Sequence, residues 1–185
     1  MRAALDGLYR AAAGLAAACL VSIALLVVAQ VGCRLIDGAR GLIGLDPLGL
    51  LVPSLAEIAG FLLVGASFLA LASTLRHAAH IRVSILLQHV PRSVGRMLEV
   101  WVLAAASALI CYFAWHAAWL SYDSYFYNEV SFGIVPVPLF IPQTVMTLGI
   151  IVFAVSLIDD LVVALSGREP SYVLAEADRS IEGTE

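Results

Sequence analysis

"LAEIAGFLLVGASFLALASTL" (Leu55–Leu75) contains one acid, Glu57, and no base. It runs directly into "RHAAHIRVSILLQHVPR" (Arg76–Arg92), which holds three arginines and three of the chain's four histidines. A hydrocarbon core about 30 Å thick needs about 20 apolar residues of helix to cross it. A run of that length with no base, closed by a cationic cluster, reads as a helix leaving a bilayer. Similar runs occur at about Leu8–Val31, Met97–Trp119 and Leu139–Leu165. They are separated by Gly-rich, basic and Pro-rich connections, with no internal repeat.

Composition agrees with that reading. The chain is 62% hydrophobic and 13% charged, whereas soluble domains are about half apolar and a quarter charged. A soluble fold of 185 residues could not hide so much apolar surface, so the excess must face lipid. The expected fold is an all-α integral membrane protein, one membrane domain over 1–185. It has four transmembrane helices and a short amphipathic cytoplasmic interfacial helix between the second and third. That segment, about 76–91, places Val83, Leu86, Leu87 and Val90 on one face and Arg76, His80 and Ser84 on another, the arrangement of a helix lying at a membrane surface. Pro91 ends it. Residues 166–185 form a tail. The first apolar run is too long for a signal-peptide core and is read as a retained helix.

Arginine placement gives the orientation. Arg2, Arg10, Arg76, Arg82, Arg92, Arg96, Arg168 and Arg179 fall on one side, against Arg34 and Arg40 on the other. The positive-inside rule puts both termini and the Arg76–Arg96 connection in the cytoplasm. The third connection and its approach, with Trp115, Trp119, Tyr122, Tyr125, Phe126 and Tyr127, form an outer aromatic belt. In the first outer connection Ser54-Leu55-Ala56-Glu57 follows Pro53 as a capping-box pattern and marks the start of the second helix.

Several functions are excluded. No Ser/His/Asp set, phosphate-binding glycine loop or paired intramembrane carboxylates occur, so the chain is not read as an enzyme. His77 and His80 have metal-compatible spacing, but no Cys or carboxylate lies between Arg76 and Arg96, and cationic surroundings repel a metal. Haem needs histidines inside facing helices, and only His116 lies inside one. No cofactor is expected, and no basic domain suits nucleic acid. Cys19, Cys33 and Cys111 lack CxxC spacing and read as small apolar residues. The helix centres carry few polar groups, chiefly Ser22, Ser67, Ser107 and Thr147. A transporter acting alone would be expected to hold charged or polar groups there, so this chain is not expected to hold substrate.

The stretch Glu57–Glu99 resembles the small (Q-type) membrane subunit of tripartite ATP-independent periplasmic (TRAP) transporters. The resemblance rests on Glu57, the pair Gly65-Ala66, Leu75-Arg76, then His80-Ile81-Arg82-Val83, an apolar run and Pro91. Pro136, Pro138 and Pro142 before the fourth helix also resemble the family. Ser84 stands where the family usually has Asp, so no essential charge is assigned there. The resemblance implies a multi-pass protein of the bacterial inner membrane that packs against and stabilises a large multi-spanning subunit. That subunit, supplied by a periplasmic substrate-binding protein, imports organic acids on an ion gradient, usually sodium. Two other readings stand beside it: the membrane anchor of a respiratory complex, binding haem or quinone through His116 or His80, and a small stand-alone exporter.

Candidate contact residues follow. Glu57 either completes the capping box or pairs with the large subunit. Arg76 and Arg82 either snorkel as the topology signal or touch a partner or lipid headgroups, and His80 between them either hydrogen-bonds within this collar or reaches a partner carbonyl. Asp159 and Asp160 either sit at the cytoplasmic boundary or pair with Arg168, Arg10 or a partner cation. Gly65, Ala66 and Ser67, with Ala104, Ala105, Ala106 and Ser107, permit close helix packing, within the chain or against the large subunit.

Overall fold

A computed structural model describes residues 2–46, 48–76 and 92–166. Among these described residues are four helices, here α1 (Arg2–Leu42), α2 (Leu55–Arg76), α3 (Arg92–Phe126) and α4 (Phe140–Leu165). Each is long and apolar enough to cross a membrane. The expected interfacial segment beyond Arg76 lies outside the described residues, with His80 and Arg82, as does the tail after Ser166. A helix satisfies every backbone polar group internally, which is why apolar runs in lipid become helices.

Two helices are longer than hydropathy predicts. α1 continues past Val31 to Leu42, through Gly32, Gly38 and Gly41, each of which weakens a helix by about 1 kcal/mol. Tertiary hydrogen bonds offset that cost. The connection turns back along α1, and α1 holds it by polar side chains. Asp37 accepts from the Leu48 and Gly49 amides at 2.8 and 3.1 Å. Gln30 accepts from the Val52 amide at 2.8 Å, and Arg40 Nε donates to the Asp46 carbonyl at 3.0 Å. Gly44, with φ +74°, ends the helix: its amide bonds the Gly41 carbonyl, and the Leu45 amide bonds that of Arg40, a Schellman motif. α3 begins at Arg92 and ends at Phe126 rather than spanning about 97–119, because the segments beyond those bounds, with their charges Arg92, Arg96 and Asp123, are themselves helical. Asn128, with φ 51°, closes α3 by the same motif.

The helices pack in the order α1, α2, α4, α3. α4 is central, between α2 and α3, and α1 lies mainly against α2. Apolar attraction between helices is absent in lipid, so small residues that let backbones approach decide these contacts. Leu103, Ser107, Ile110, Ala114, Ala117, Ser121 and Ser124 line the side of α3 turned to the bundle, all buried or half-buried. Their steps alternate between four and three residues, the spacing of a coiled-coil seam. Leu103 and Ile110 pack with Phe153, Leu157, Leu161 and Ala164 of α4. Farther along, the Ser121 and Thr144 hydroxyls meet at 2.7 Å.

α2 and α4 approach more closely. A Cβ on Gly149 would stand 2.6 and 2.7 Å from the backbone C and O of Phe68 and 2.9 Å from the Leu69 nitrogen. Ala12 and Ala16 of α1 pack on Leu69, with Val145 and Val152 of α4 alongside.

Candidate partner-docking surfaces

The residues singled out in the sequence fall at two ends and one middle of the bundle. Glu57 is in the first turn of α2, at the end that carries connections 43–54 and 127–139. Arg76 is the last residue of α2, at the opposite end, about 28 Å away along the helix. Asp159 and Asp160 share that opposite end, near the close of α4. Glu57 and Arg76 therefore belong to different surfaces.

The adjacent acids have different surroundings. Successive helical residues point about 100° apart, and Asp160 is 1% exposed while Asp159 is only half-buried. Ser156, one turn before Asp160, is fully buried. Asp160 thus belongs to the interior of the bundle, and Asp159 is the acid with surface to offer.

Gly65, Ala66 and Ser67 divide similarly. Gly65 faces the junction of three helices: a Cβ there would meet Val145 Cγ1 at 3.2 Å and Cys19 Sγ at 3.5 Å. Ala66 is buried, and Ser67 is exposed.

The capping box expected at the start of α2 is not formed. The Ser54 backbone carbonyl accepts from the Glu57 and Ile58 amides, but its hydroxyl turns away and accepts from the Val135 amide at 2.9 Å. Ser54 adopts φ 53°, a left-handed conformation unfavourable for a residue with a Cβ. It aims the hydroxyl at the connection between α3 and α4 instead of at its own helix. Glu57 reaches the same connection. Its Oε2 is buried and accepts no hydrogen bond from a described residue. It packs so tightly on Gly133 that a Cβ there would overlap it and stand 2.8 Å from Ser54 Oγ.

Ser54 and Glu57 thus seat an ordered hairpin. A single bridge joins Val130 to Pro138. The Ser131 amide bonds the Val137 carbonyl at 2.9 Å, and the Leu139 amide bonds that of Glu129 at 3.0 Å. The Ser124 hydroxyl donates to Glu129 Oε2 at 2.6 Å. Phe132 and Ile134 project from the tip, fully and largely exposed.

The Gly133 contact makes a specific expectation. Gly133→Ala should lower stability by about 1 kcal/mol, since the obstructing carboxylate is the movable end of a side chain. In a Glu57→Ala background that cost should shrink, with a coupling of about 0.5 kcal/mol or more. Thermal unfolding of the four variants in detergent measures it. Strictly additive effects would mean that the contact carries no energy.

Among the described residues no three His, Cys, Asp or Glu side chains cluster as metal ligands. His116, the one histidine among them, is exposed on α3, with its ring 4.4 Å from that of Tyr112.

Sequence reasoning missed the seam of α3, the Gly149 crossing and the Gly133 seat. The seam had a visible signal in the alternating four-three spacing of Ser and Ala. Gly133 had none, because its partner lies far away in the sequence.

Compared with known families, residues 50–167 match the model of the DctQ component of tripartite ATP-independent periplasmic transporters. No curated protein matches the chain.

Proposed function

Because the chain belongs to the DctQ family, the small component of tripartite ATP-independent periplasmic transporters, we propose that it is a non-catalytic scaffold of such an importer. It packs against and stabilises the large membrane subunit, which moves organic acids on a sodium gradient after delivery by a periplasmic binding protein. The family match over 50–167 carries this reading. The scarcity of charge along the middle of its four spans supports it, because a substrate pathway in lipid calls for polar or charged groups.

In this reading both termini and the Arg76–Arg96 connection lie in the cytoplasm, and the hairpin seated on Glu57 faces the periplasm. Arg76, His80 and Arg82 form a collar at the cytoplasmic boundary that contacts the large subunit or anionic headgroups. Asp159 lies near the same level.

Reconstitution tests the function. The large subunit and binding protein, placed in liposomes with this chain, are expected to import substrate on an imposed sodium gradient and to lose most of that rate without it. Full transport in its absence would overturn the proposal. The collar has its own test in pull-downs of the large subunit through a tag on this chain. Arg82→Glu should reduce recovery several-fold, and Arg179→Glu in the tail should leave it unchanged. Equal recovery would reduce the collar to a topology signal.

A further inference from the structure

The side of α3 turned away from α4 has a second regular seam. Trp101, Ala105, Ala108, Tyr112, Trp115 and Trp119 follow one another at steps of four, three, four, three and four, and all are exposed. We propose that this face docks a transmembrane helix of the large transporter subunit, with Tyr112 and His116 hydrogen-bonding to it. The inference rests on the scaffold reading above and assigns the surface through which the scaffold acts.

Depth supplies the first argument. No charged residue lies between Glu99 and Asp123 on α3. Tyr112 is near the midpoint of that interval, about 16 Å from Asp123 along the helix, and His116 is about 10 Å from it. Both side chains are exposed, and their groups make no hydrogen bond to a described residue. Hydrocarbon offers Tyr112 no partner, while His116 stands beside Trp115 at the edge of the outer aromatic belt; polar side chains within membrane spans face protein or water as a rule. The occupant therefore presents a hydrogen-bonding group, such as a hydroxyl, carboxylate or backbone carbonyl, at this level.

Shape supplies the second. Ala105 and Ala108 form a notch between Trp101 and Tyr112. Small residues at such a place allow a neighbouring helix to approach, and the four-three spacing is that of side chains interlocking with another helix. The exposed face of α1 differs. From Ala11 to Val31 every exposed residue of α1 is Gly, Ala, Leu or Val, so that face shows lipid no aromatic ring and no hydrogen-bonding side chain.

The test uses the assembled complex in membranes. Photoreactive benzoylphenylalanine replaces Trp115 or Trp119 on α3, an aromatic for an aromatic, and Leu25 or Val28 on α1 for comparison. Irradiation is expected to join the large subunit to the α3 positions and not to those on α1. Loss of the large subunit from the α3-substituted complexes alone would support the same face. Adducts from α1 only, adducts with a second copy of this chain, or none with protein would each overturn the assignment. The double variant Tyr112→Phe, His116→Leu should lower recovery of the large subunit at least tenfold while leaving the unfolding temperature of the isolated chain unchanged. Unchanged recovery would remove the two side chains from the contact. If the unsubstituted chain recovers no large subunit at all, the scaffold reading itself fails, which is a different result.

Discussion

Gly149→Ala is expected to destabilise the chain by about 3 kcal/mol, the upper end of the usual cost of overpacking. The obstacle decides the size. A Cβ at Gly149 would meet backbone atoms of Phe68 and Leu69, all within 3 Å, and backbone in a helix cannot rotate aside as a side chain can. The α2–α4 crossing must open as a whole. Gly65→Ala should cost less, because its nearest obstacles are the side chains of Val145 and Cys19. Gly60→Ala has nothing within 4 Å and should be neutral or slightly stabilising through helix propensity. Thermal unfolding of the three variants in mild detergent checks the ranking. Gly149→Ala and Gly60→Ala melting together would refute the close crossing.

Asp160→Lys should have a comparable or larger effect, with little folded, monodisperse protein recovered. The site is 1% exposed. A longer side chain of opposite charge must either enter a closed interior or force it open. Burying a charged ammonium there costs several kcal/mol. Asp159→Lys, next door and half-buried, should cost about 1 kcal/mol or less, as water and headgroups can reach it. Fluorescence-detected size exclusion of the two variants separates them. Equal recovery would mean that the neighbouring acids share one environment.

That contrast marks what could and could not be read from the sequence. The four spans were legible, because lipid leaves a run of apolar residues no alternative to helix. The end of α1 was not, because side chains on that helix bond backbone amides 11 to 22 residues onward. Glu57 stood out as a lone acid near a span boundary. Its local capping partner was the natural reading, and Ser54 instead turned to Val135, 81 residues away. The acids at 159 and 160 looked like one feature because adjacency in sequence conceals the turn of a helix. The docking face proposed on α3 lies in residues whose spacing was present all along. It becomes visible only when the opposite seam shows which way the helix faces.

The central place of α4 bears on how the protein is made. α1 and α2 adjoin in the bundle, as do α3 and α4, so each pair can enter the bilayer as a hairpin soon after it is synthesised. α3, however, packs chiefly against α4 and must wait in lipid until that fourth span arrives. The two hairpins become one body at the Phe68–Gly149 crossing, only after the fourth span has entered the bilayer.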